Sequence, residues 1–107
     1  MSGIHRDTRK RLGDWQPKSE ATAYLAESDG QVHANVPDDG GAYAVIEGCT
    51  DSSNPPTTMR NVNICGPLPA RPAISFEVRK GDYWQVNKYY TTSEVTVWWI
   101  PDEVISV

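Results

Sequence analysis

Few side chains here have the types and spacing that chemistry needs. His33 lies close in sequence to Asp29, Asp38 and Asp39. A proton relay or a metal site would use such a grouping, but a lone histidine in an alternating segment is ordinarily a surface residue. The turns Glu27-Ser28-Asp29-Gly30 and Pro37-Asp38-Asp39-Gly40 offer oxygens to Ca²⁺. They lack the alternating ligand register of a dedicated loop, so turn-making accounts for them better. Ser28, Ser52 and Ser53 have no glycine-framed elbow around them. Cys49 and Cys65 are the only cysteines, and His5 and His33 are not at finger spacing, so no zinc site follows. In a reducing cytoplasm both cysteines read as free thiols. A Cys49–Cys65 bond becomes open if the protein leaves the cell. It would close a loop of about 15 residues and contribute about 3 kcal/mol, provided the Cα atoms approach within about 7 Å. No nucleophile, base and oxyanion donor can be named together, so the residues point to no enzyme, no cofactor and no metal.

The aromatic set is richer. Three of the four Trp and three of the five Tyr lie between Ala73 and Val107. Strand aromatics usually fill a core, so Trp84, Trp98 and Trp99 are expected in the core or against a neighbouring subunit. Tyr89 and Tyr90 fall in a polar stretch and form the better candidate for an exposed pair that stacks on a glycan. Asn54, Asn61 and Asn63 can read sugar hydroxyls or simply fill loops.

The elements that must position these groups are strands. Ile74, Phe76 and Val78 alternate with Ser75, Glu77 and Arg79, the mark of a half-buried strand. Tyr83 to Val86 restarts the pattern after the turn Arg79-Lys80-Gly81-Asp82. Val95, Val97 and Trp99 point one way, and Trp98 and Ile100 the other. A strand apolar on both sides is buried on both sides. In a chain of 107 residues the second cover is expected from another subunit. Upstream, strands are predicted over Ala21–Ala26, Gln31–Val36, Ala42–Glu47 and Thr57–Ile64. Gly- and Asp-rich turns, the loop Thr50–Pro56 and an extended crossover from Gly66 to Pro72 separate the strands. This spacing predicts one all-β domain, a small antiparallel β-sandwich over residues 19–107. Residues 1–18 read as an extended N-terminal arm, with at most a marginal helix from Asp7 to Leu12. Trp15 is the large apolar group that can anchor this arm on the body.

The net charge is −4, yet residues 1–11 hold Arg6, Arg9, Lys10 and Arg11 against Asp7, a local +3 that leaves −7 for the rest. An acidic body does not suit nucleic acid. No run is long enough to span a membrane and no signal-peptide core precedes the body, so a soluble chain made in a cytoplasm is expected. The basic cluster and Trp15 together suggest an arm that docks on a larger, acidic surface.

Val78-Arg79-Lys80-Gly81-Asp82-Tyr83-Trp84 and Val95-Thr96-Val97-Trp98-Trp99-Ile100-Pro101 resemble the small β-rich tip domains of tailed-phage fibres and prophage collagen-like proteins. There a K-G-D-Y-W-like turn precedes a last strand ending near W-x-P. Tyr24 to Gly30 and Thr50 to Thr58 resemble the first-strand-to-turn segment and the mid-domain loop of the same modules. The resemblance covers about residues 15–107. It implies a jelly-roll-like, trimeric, non-enzymatic module of a virion, made in the host cytoplasm. Its partners would be copies of itself, as a homotrimer, and the capsid or tail proteins of the same particle. Fibre tips usually end a long shaft, whereas Met1 lies only about 20 residues before the first predicted strand. A module without a shaft must attach through its own arm or its base, which favours a standalone decoration protein on a head or tail, or a separate tip subunit. A glycan- or receptor-binding attachment module is the alternative.

Overall fold

Polar–apolar alternation runs through most of the chain, and the elements it builds are strands. The computed structural model describes residues 8–37, 44–65, 72–91 and 94–106, with side chains placed for 12–37, 44–64, 72–91 and 94–103. The strands are β1 (Thr8–Leu12), β2 (Gln16–Lys18), β3 (Tyr24–Leu25), β4 (Gly30–Asn35), β5 (Ala44–Asp51), β6 (Met59–Cys65), β7 (Ala73–Val78), β8 (Tyr83–Tyr89) and β9 (Thr96–Ser106). No helix occurs among the described residues. Two antiparallel sheets form: one in the order β1-β9-β4-β7, with β2 also on β9, and one in the order β3-β8-β5-β6. The turn predicted over residues 38–41 and most of the crossover from Gly66 onward lie outside the described residues.

The period-two pattern fixes which side of each strand is dry. On β7, Ile74, Phe76 and Val78 are buried while Ala73, Ser75 and Glu77 are exposed. The β4–β9 register sets Val32 opposite Trp99 and Ala34 opposite Val97, on the inner face, and His33 opposite Trp98, on the outer one. From the other sheet, Ile46, Trp84 and Val86 complete the core. Each such side chain, fully buried, contributes about 1.5–3 kcal/mol. The Trp84 and Trp99 rings stack across the sheets with centroids 5.7 Å apart and planes 16° apart. Gly48 lets the sheets approach at β5, because a Cβ there would overlap the Phe76 ring. At the β7–β8 turn Gly81 takes φ 91°, and Asp82 N–H donates to Arg79 O at 3.0 Å.

The edge strand β6 has its polarity reversed. Asn61 and Asn63 lie opposite Gly48 and Ile46, on the inner side, while Val62 and Ile64 face outward. The two amides cross to the other sheet: Asn61 Nδ2 donates to Ser75 O at 2.8 Å and Asn63 Nδ2 to Ala73 O at 2.9 Å. They close the seam between β6 and β7, so these two are occupied by the fold and do not stand ready to read hydroxyls.

The N-terminal segment departs from the expected arm. Residues 8–12 form a strand, not a helical turn, and pair with Asp102–Ser106 of β9; residues 16–18 pair with Val97–Trp99. The boundary expected at residue 18 therefore falls inside a sheet. The last strand also runs through Pro101 to Ser106. Pro101 sits where β4 ends its pairing and β1 has yet to begin, so its missing N–H falls at a handover between neighbours. Its carbonyl accepts from Gly13 N–H at 2.6 Å.

Candidate functional site

The outer face of the first sheet carries an aromatic corner. Trp98 leaves β9 on the face opposite Trp99, as adjacent strand residues must. The short connection between β1 and β2 brings Trp15 onto it, with ring centroids 6.1 Å apart and planes at 67°. His33, the cross-strand neighbour of Trp98, lies 5.1 Å from the Trp15 ring. His33 Nε2 is 3.2 Å from Gln31 Oε1. Trp15 remains 51% exposed and Trp98 is half-buried. Beside them opens a depression of about 300 Å³, which also reaches Asn35, Ala73 and Ile74.

The corner resolves how the two-sided strand is covered. Ile100, on the Trp98 face, is 0% exposed within the single chain. Trp15 covers part of Trp98. Part of the second cover expected from a neighbouring subunit is thus supplied by the chain's own Trp15. Trp84 and Trp99 belong to the core.

A second cluster occupies the outer face of the other sheet. The β5 registers place Glu47 between Val62 and Asn87, and Val45 between Ile64 and Tyr89. Glu47 Oε1 accepts from Tyr89 OH at 2.9 Å, from Asn87 Nδ2 at 3.3 Å and from the Cys49 thiol at 3.9 Å. Gln85 Nε2 donates in turn to Asn87 Oδ1 at 2.8 Å. The hydrogen bond to Glu47 holds the Tyr89 phenol above its ordinary pKa. Burial, then the charges of Glu47 and Asp51, push the Cys49 thiol up, so it is a poor nucleophile. Ile64 is 63% exposed beside this network.

The remaining expected site residues disperse. Arg6 lies outside the described residues, and Arg9, Lys10 and Arg11 are described only as backbone of β1. Their register sets them against Ile105, Val104 and Glu103, and Leu12 against Asp102. Three basic residues thus share a ribbon with two acidic ones, which offsets much of the positive charge expected of the arm. Tyr89 and Tyr90 are both exposed, at 45% and 79%; the Tyr89 hydroxyl donates to Glu47, and Tyr90 takes φ 63°. Cys49 is a free thiol. Cys65 pairs with Ala44, five residues along β5 from Cys49, about 16 Å at strand rise, so the disulfide geometry fails. Asp29 accepts from Lys80 N–H at 2.8 Å and does not join His33; Asp38 and Asp39 lie outside the described residues.

One organising residue had no signal in the sequence beyond its place in a turn. Asp51 Oδ2 accepts from the N–H groups of Thr57 and Thr58, at 2.9 and 2.8 Å, and from both their hydroxyls; Oδ1 accepts from Ser53 N–H at 2.7 Å. These donors, Thr57 N–H foremost, hold its carboxyl well below the usual carboxylate range. Asp51 shapes the 52–58 loop.

No family model, curated protein or solved structure matches this chain. Among the described residues, no three His, Cys, Asp or Glu gather as a metal site, and no helix is long and apolar enough to cross a membrane.

Proposed function

We propose that this chain is a jelly-roll-like structural and attachment module of a tailed-phage particle, docking through the ribbon of β1 and the end of β9. The observation that carries the reading is the strand order. Strands β2, β9, β4 and β7 share one sheet and β3, β8, β5 and β6 the other. Two nested Greek keys give that order, in an architecture that recurs in viral capsid and lectin domains. The ribbon is the part left over. Residues 102–106 pair with β1 alone among the described strands, and a lone two-stranded ribbon is marginal in water. A partner surface would complete it. A homotrimer, on this reading, is built at the ribbon and not at the Trp98–Ile100 face.

Light scattering on the full chain and on a chain lacking residues 1–12 tests this. The full chain should show about three times its 11.9 kDa mass, and the truncated chain should stay folded as a monomer. A monomeric full chain, or a truncated chain that still trimerises, would overturn a homotrimer built at the ribbon.

A further inference from the structure

Beyond that reading, and independent of it, we propose that the Trp15–Trp98 corner is a binding site for a neutral pyranose ring. Two indoles at 67° make a floor and a wall. A sugar ring has an apolar C–H face that packs on an aromatic plane and hydroxyls that need amide or imidazole partners. The depression of about 300 Å³ supplies both, the indole faces beside Asn35 and His33. That volume sits at the small end of ligand sites. Among the described residues lining it, none is Asp, Glu, Lys or Arg. A phosphate or carboxylate ligand would find no counter-charge among these lining residues, so their chemistry suits a neutral sugar better than a nucleotide, a sialic acid or a uronic acid.

The corner also differs from the Tyr89–Glu47 face. There the phenol hydroxyl is already hydrogen-bonded to a carboxylate. Exposure does not separate the two, since Trp15 is 51% and Tyr89 45% exposed; the corner differs in setting two indoles edge to face beside an exposed Asn35.

Titration with glucose, galactose, N-acetylglucosamine and glucuronate, followed by amide and indole NMR shifts, tests the site. At least one neutral sugar should shift Trp15, His33, Asn35 and Trp98 saturably, with little dependence on salt. Trp15→Ala should weaken that binding about tenfold, the loss of one aromatic stack, and Tyr90→Ala should leave it unchanged. Trp15 is half exposed, so its removal leaves the core intact; the wild-type shift map stands as a second readout. No shift at the corner with any neutral sugar, a stronger response to glucuronate, or full binding by Trp15→Ala would overturn the proposal.

Discussion

The two outer faces of this sandwich solve the same problem differently. On the first sheet, apolar residues that face outward are met by the chain itself: Ile100 is buried and Trp15 leans on Trp98. On the second, Val62 and Ile64 stay exposed around a hydrogen-bonded centre at Glu47. The difference teaches that burial on both sides of a strand does not by itself demand a second subunit. Flanking chain covers part of one face, while a polar network stabilises the other without covering it.

The largest expected effect removes the layer that both faces share. Trp84→Ala empties the stack against Trp99 and should cost about 3–5 kcal/mol, read as a lower urea midpoint. Loss of order on only one face would show that the sheets fold separately. Glu47→Ala separates the faces. It should cost about 1–2 kcal/mol, after discount for partial exposure, and leave the Trp15, His33 and Trp98 NMR signals in place. A shift of those signals would mean that the faces are coupled through the core. The smallest effect is a pH dependence confined to the second face. Tyr89 has a raised pKa in the fold, so its contribution is fully present below the ordinary phenol value and is lost as pH rises through the folded one. Wild type should therefore lose stability on the alkaline limb more steeply than Tyr89→Phe. Equal slopes would mean that the Glu47 contact is absent in solution.

The all-β sandwich was legible because alternation on Gln31–Val36 and Ile74–Val78 reports burial directly. The N-terminal strands were not. Thr8–Leu12 and Gln16–Lys18 hold few apolar residues, and their pairing is set by backbone bonds to β9, which leave no periodic trace. The end of β9 was hidden for a related reason: Pro101 reads as a stop, and only the change of neighbours at that point permits the strand to continue. Trp15 reads as an anchor, but its target at Trp98 does not, because contact across most of the chain has no local signature. Glu47 and Asp51 were invisible as centres because most of their donors come from another strand or from a folded loop.

The amides of Asn61 and Asn63 have a consequence for handling the protein at high concentration. A bare sheet margin is a template on which further chains can add, the usual start of fibrous aggregation. Along β7 the carbonyls of Ala73 and Ser75 are already taken, so an incoming strand finds two of its acceptors occupied. Ordered aggregates should be slow to grow from that margin.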